Sequence, residues 1–154
     1  MFTVRPATLD DVEGIMKITQ QAFKQYIKLA EIPDTDALHE TREHVISDIE
    51  NKYVYVAYIN DVIVGSVRVE KINDDTAYLS RFAVSNDFQN QGIGKSIMSV
   101  FDQEMIKQGV RKVILHTAAK AFSLMRFYYG RGFYVHSTTR CKGYIRALMC
   151  KEYN

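Results

Sequence analysis

The chain has 154 residues, 47% hydrophobic and 25% charged, with a formal net charge of +2. That is the make-up of a globular domain able to bury a core, and so small a charge excludes a general attraction to nucleic acid. No apolar run reaches the ~20 residues needed to cross a bilayer, nothing at the start reads as a secretion signal, and the cytoplasm is the expected compartment.

Phe2-Thr3-Val4-Arg5 alternates and stops at Pro6, which predicts a first strand. Thr8 reads as the cap of a helix with Asp11 in its first turn; Val12, Ile15, Met16, Thr19, Ala22 and Phe23 share one face. Lys24 to Thr35 reads as irregular, and Asp36 as the cap of a second helix carrying Leu38, Val45, Ile46 and Ile49. Tyr53–Ile59 and Val62–Glu70 are strand-rich runs flanking the turn dipeptide Asn60-Asp61, so a hairpin is predicted. Asn73-Asp74-Asp75 marks the next turn, before a fourth strand over Tyr78–Val84. A third helix runs from Gly92 to Gln108 and ends at Gly109. A fifth strand at Val113–Thr117, a short helix at Ala121–Tyr129 and a final strand pair, Phe133–Ser137 with Tyr144–Cys150, complete the chain. The pattern predicts a mixed α+β sheet within one domain, 1–154. Cys141 and Cys150 are expected as reduced thiols.

The chemistry concentrates at residues 81–96, RFAVSNDFQNQGIGKS, which read as strand, glycine-bearing turn and helix. A helix start leaves its first N–H groups unpaired and carries partial positive charge, and glycines let a ligand approach that backbone. The expected object is an anion cradle for phosphate. Two phosphate motifs fail here. A Walker A loop needs Gly where Gln89 stands, and Val113-Ile114-Leu115 leads to His116 rather than to a magnesium-binding Asp. A dinucleotide fingerprint needs a third glycine where Ile97 stands.

The pattern Q/R-x-x-G-x-G/A does fit, through Gln89, Gly92 and Gly94, with Phe82-Ala83-Val84 upstream. It resembles the pyrophosphate-binding motif of the GNAT superfamily of acetyl-CoA-dependent N-acetyltransferases. A second resemblance lies at Phe127-Tyr128-Tyr129-Gly130-Arg131-Gly132-Phe133, where Tyr128 falls on the tyrosine that in the family protonates the departing CoA thiolate. The resemblance covers essentially the whole chain. It implies a central, mostly antiparallel sheet of about seven strands with four helices, in which the fourth and fifth strands run parallel and splay apart.

The resemblance further implies acetyl-CoA as cosubstrate, with no metal. The backbone of Phe82, Ala83 and Val84 would meet the pantetheine arm. Gln89, Asn90, Gln91, Gly92, Ile93, Gly94 and Lys95, with Ser96 adjacent, would hold the pyrophosphate. Tyr128 would be the acid. The expected reaction is direct attack of a primary amine, on a small molecule or a protein, in a ternary complex. No cysteine nucleophile is needed. The alternative is a non-catalytic acyl-CoA sensor or scaffold of the same fold. A homodimer is compatible with the sequence, and neither nucleic acid nor membrane is expected as a partner.

Two positions depart from the family. Ala121 stands where many members place an Asn against the cofactor, leaving Lys120 or Ser123 as polar substitutes, and Asn86 stands where a Pro is common. The base is not legible: Glu70 and His116 are the candidates offered by the strands. Lys24, Tyr26 and Lys28, with Arg140 and Lys142, fall in the regions that frame the acceptor in this fold.

Overall fold

In the computed structural model, residues 1–88 and 90–154 are described; Gln89, the first residue of the glycine motif, lies outside the described residues. Seven strands form one sheet in the order β1-β2-β3-β4-β5-β7-β6. They are β1 (Thr3–Pro6), β2 (Tyr53–Ile59), β3 (Val62–Lys71), β4 (Thr76–Val84), β5 (Lys112–Ala118), β6 (Tyr134–Cys141) and β7 (Tyr144–Glu152). Four helices accompany them: α1 (Val12–Ala30), α2 (Arg42–Asn51), α3 (Ile93–Lys107) and α4 (Phe122–Gly130). Every pairing is antiparallel except β4 with β5. The mixed, mostly antiparallel sheet expected from the sequence is therefore what forms.

Turn chemistry sets the registers. Asn60 and Asp61 both take positive φ, 48° and 67°, between the paired Ile59 and Val62. Lys142 and Gly143 do the same, at 52° and 83°, between Cys141 and Tyr144. A two-residue turn of this hand matches the twist of the strands it joins. Cys141 and Cys150 sit toward opposite ends of the β6–β7 hairpin, opposite Tyr144 and Tyr134, and both are free thiols.

Each face of the sheet carries its own apolar layer. On one, Ile93, Ile97, Met98, Phe101 and Met105 of α3 bury against Val67, Val69, Ala77, Leu79, Val113 and Leu115. Each of these side chains larger than alanine contributes roughly 1.5–3 kcal/mol by leaving water. On the other, Val12 and Ile15 of α1 and Val45 of α2 pack on Val54 and Val56. Glycine permits close approach on both faces. A Cβ on Gly65 would stand 2.9 Å from Ile97 Cδ1, and one on Gly14 2.6 Å from Ile63 Cγ1.

The first two helices differ from the expected bounds. Lys24 to Ala30 is helical rather than irregular, because Phe23, Tyr26, Ile27 and Ala30 prolong the apolar stripe. The helix stops where Glu31 adopts left-handed φ of 57°, two residues before Pro33. Asp36 opens only a short 3-10 turn that includes Leu38. The cap of α2 is Thr41, whose hydroxyl accepts from the His44 N–H at 3.1 Å. His39 thus lies outside that helix and bonds to Asp34.

Beneath α2 lies a feature that the sequence did not announce. Arg68 of β3 is 0% exposed and Glu40 3%. Glu40 accepts from both Arg68 terminal nitrogens, at 2.7 and 2.8 Å, and from Arg81 Nε at 3.2 Å; Asp48 takes a further Arg68 bond at 3.0 Å. Burial pushes the Glu40 carboxyl upward, but the bonds and charge of Arg68, then of Arg81, outweigh it and hold the group below its ordinary range.

Candidate active site

Strands β4 and β5 pair over only three positions, Thr76↔Lys112, Ala77↔Val113 and Tyr78↔Ile114. Beyond Tyr78, β4 keeps β3 as its neighbour and β5 keeps β7. The strands part into a V, which leaves one backbone edge of each without a strand partner. A β-bulge marks the parting. Ser66 is paired with Ala83 but Arg68 with Ser80, so β4 carries one extra residue there, and Arg81 takes φ 53°. Glu40 grips the side chain of this strained residue.

The V opens into a cavity of about 840 Å³. One end is the start of α3. Gly92 caps the helix in left-handed conformation with no side-chain cap bond, and the first intrahelical bond runs from the Ser96 N–H to the Gly92 carbonyl at 3.0 Å. The N–H groups of Ile93, Gly94 and Lys95 precede that bond and so remain for a ligand. Asn90, Gly92, Ile93, Gly94 and Lys95 line the cavity together with Phe82, Ala83 and Val84. Gln91 is not on its wall, and the Ser96 amide is spent inside the helix, leaving that residue only its hydroxyl. A Cβ on Gly94 would come within 3.0 Å of Phe82 and 3.2 Å of Phe127, so glycine keeps helix and aromatic wall in contact. These features fit a diphosphate joined to an extended, amide-bearing arm: orphan helix amides for the anion and an unpaired strand edge for the arm.

The aromatic wall is continuous. Phe82 stacks on Phe127 with ring centroids 5.2 Å apart, and Tyr128 meets Phe82, Phe127 and Phe133 at 6.1, 5.8 and 5.6 Å. Tyr128 lines the cavity yet is 4% exposed. Burial raises its phenol well above the ordinary value, so it stays protonated throughout the neutral range. Ala121 caps α4 without a side-chain bond, and Lys120 and Ser123 both reach the cavity beside it.

The other end of the cavity is built from separated segments. Tyr26 of α1 accepts a bond from the Ala118 N–H at 2.8 Å, which ties the long first helix across the end of β5. Tyr78, His116, Tyr144 and Arg146 line the same region. The Tyr78 hydroxyl and His116 Nδ1 share a hydrogen bond of 2.8 Å across the apex of the V. Lys142 is on this wall, 3.9 Å from Asp36. Lys24, Lys28 and Arg140 are exposed and stand off the cavity, as does Glu70. Tyr144 and Arg146 carried no signal in the sequence, since each is one strand residue without a motif around it. Among the described residues, no group of three or more His, Cys, Asp or Glu side chains is arranged to hold a metal, and no helix is long and apolar enough to cross a membrane.

Residues 15–133 match the model of the acetyltransferase (GNAT) family. A probable N-acetyltransferase 14 of Xenopus tropicalis is 29% identical over 98 residues, 62% of this chain but only 48% of that protein. Among solved structures, the PaiA N-acetyltransferase of Thermoplasma acidophilum, determined in complex with coenzyme A, superposes with a TM-score of 0.86 at 19% identity over 99% of both chains. The ribosomal-protein-S18-alanine N-acetyltransferase of Escherichia coli superposes at 0.80, with 20% identity over 99% of this chain and 94% of the other. At these identities the two structures establish a common fold.

Proposed function

The chain belongs to the GNAT acetyltransferase family, and on that premise we propose that it transfers an acetyl group from acetyl-CoA to the primary amine of a small molecule or a protein. The observation that carries this reading is the parting of β4 from β5 after three paired positions, beside a helix start whose cap, Gly92, has no side chain to satisfy the first amides.

In this reading the free edge of Phe82, Ala83 and Val84 pairs with the amides of pantetheine as an added strand. The amides of Gly92 to Lys95, with Asn90 alongside, take the pyrophosphate, and Gln89 and Gln91 complete the motif; Ser96 adds its hydroxyl. The thioester supplies an activated acetyl carbonyl. Backbone N–H groups near Val84 stabilise the oxyanion that forms as the amine attacks directly. Tyr128 delivers its phenolic proton to the departing sulfur. Its raised pKa suits that role only because a thiolate leaving into the same dry wall is raised too, so the proton need not climb far.

Thiol release from acetyl-CoA across a panel of amines, followed by the mass of the product, tests the proposal. A product heavier by one acetyl group supports it. CoA binding with no turnover on any amine would favour a sensor or scaffold instead.

A further inference from the structure

The cations around the cavity are of two kinds. Arg81, Lys95, Lys120, Lys142 and Arg146 line it. Arg81 gives its Nε–H to Glu40, Lys120 stands 3.7 Å from Glu31, and Lys142 3.9 Å from Asp36. Lys95 and Arg146 have no carboxylate at ion-pair distance among the described residues. They sit in different places. Lys95 is in the first turn of α3, beside the orphan amides proposed for the pyrophosphate. Arg146 is on β7.

Register fixes the face that Arg146 takes. It lies opposite Ala118 across the β5–β7 ladder. Val113, Leu115, Ala147 and Met149 of the same two strands belong to the layer under α3. Side chains alternate along a strand, so His116, Ala118 and Arg146 turn to the other side. There Ala118 packs with Ala30 and Ile32 at the end of α1, and with Tyr144.

The groups facing Arg146 are neutral rings. Burial raises the Tyr78 phenol against the charges of Arg146 and Arg81. Burial, then Tyr26, raises the Tyr144 phenol against Arg146. Burial, then Arg146, lowers the His116 imidazole. A half-buried guanidinium therefore stands on an otherwise uncharged wall. Tyr26 adds a donor: its oxygen accepts from the Ala118 N–H at 2.8 Å, and a phenol that accepts one bond keeps its own hydrogen to give.

We propose that Arg146 recognises the acceptor, and that the acceptor is an amine whose own molecule carries a carboxylate. The inference rests on the acetyltransferase reading and names the class of amine. A guanidinium presents paired N–H groups that match the two oxygens of a carboxylate. The protein's own carboxylates at the mouth do not compete, since Asp34 is bonded to His39 and Asp36 faces Lys142. The same charge repels a second ammonium group, so polyamines are disfavoured. Two sources offer this chemistry: a free amino acid, and a peptide with an acidic residue beside its N-terminus.

The test has two arms on the full chain. The first compares kcat/KM within pairs that differ only in the carboxylate. Alanine, β-alanine and phenylalanine are set against their carboxamides, and seryl-aspartyl-alaninamide against seryl-asparaginyl-alaninamide, with spermidine alongside. At least one pair should favour the carboxylate by tenfold to a hundredfold, and the pair that does so identifies the source. In Arg146→Gln that ratio should fall to within twofold, through KM, while CoA affinity by calorimetry stays within twofold. Arg146→Lys should keep part of the ratio. Equal kcat/KM in every pair, spermidine above all of them, or a ratio that survives Arg146→Gln overturns the proposal.

The second arm needs no turnover. It follows the Arg146 Nε–H resonance by ¹H–¹⁵N NMR in CoA-saturated protein, assigned with Arg146→Gln, as the N-acetyl forms of the same pairs are added. The carboxylates should move it saturably and the carboxamides should not. A resonance moved by neither, or equally by both, overturns the proposal. A wild type that binds CoA but acetylates none of these amines defeats the acetyltransferase reading instead, and the resonance arm still judges Arg146.

Discussion

The two ends of the cavity are built on different principles. The α3 end is made from backbone: consecutive residues of one strand, one turn and one helix start, with glycine where side chains would intrude. The opposite end is made from side chains brought in by α1, β4, β5 and β7, with Tyr26 and Ala118 joined across 92 residues of sequence. Recognition by backbone needs a fixed local conformation and leaves a motif. Recognition by assembled side chains needs only that distant residues arrive together.

Four substitutions sharpen that contrast. The largest effect is expected at Glu40, which ties the α1–α2 link to Arg68 and to the bulge at Arg81. Glu40→Gln removes the two-point charge partner of a fully buried guanidinium, leaving Asp48 as its remaining carboxylate, and should cost about 3 kcal/mol of stability at pH 7 in urea unfolding. Because the folded carboxyl lies below its unfolded value of about 4.3, its contribution is present above that pH and is lost as pH falls through the folded pKa. The gap between wild type and variant should therefore shrink on acidification; a gap constant from pH 7 to 3 would contradict the assignment.

Tyr128→Phe comes next. It should lower kcat by at least about a hundredfold, ~2.7 kcal/mol in the barrier, while CoA affinity by calorimetry stays within twofold. Unchanged turnover would remove Tyr128 from the reaction. Gly94→Val tests the backbone-built end: its side chain must displace Phe82 or Phe127. CoA affinity should fall tenfold to a hundredfold, about 1.4–2.8 kcal/mol, and an unaltered Kd would place the anion elsewhere. The smallest effect is expected at the α2 cap, where Thr41→Ala should cost ~1 kcal/mol of stability and leave CoA affinity alone.

The same contrast explains what the sequence made legible. The strands were found by alternation and turn dipeptides, and the sheet came out as expected. The contacts proposed for residues 82–84 and 92–95 were readable because they lie in the main chain, which the Gly92-Ile93-Gly94 spacing betrays. The helical stretch Lys24–Ala30 was missed because Tyr26, Ile27 and Ala30 earn their burial only by packing over β5 and near Ala121, contacts that local periodicity does not weigh. Tyr78 and His116 were each visible, but nothing in a separation of 38 residues foretells a bond between them. The Arg68 network was hidden for a related reason. A charged residue in an otherwise apolar strand reads as an exposed position until Glu40 and Asp48 arrive from elsewhere in the chain.

The most direct measurement is a map of backbone amide shifts on saturation with acetyl-CoA, by ¹H–¹⁵N NMR of the uniformly labelled chain. The proposal predicts the largest changes at Phe82, Ala83 and Val84 and at Gly92, Ile93, Gly94 and Lys95, with slowed hydrogen exchange along the same two segments. Saturable binding that leaves both segments unmoved, with shifts confined to another part of the sheet, would contradict it.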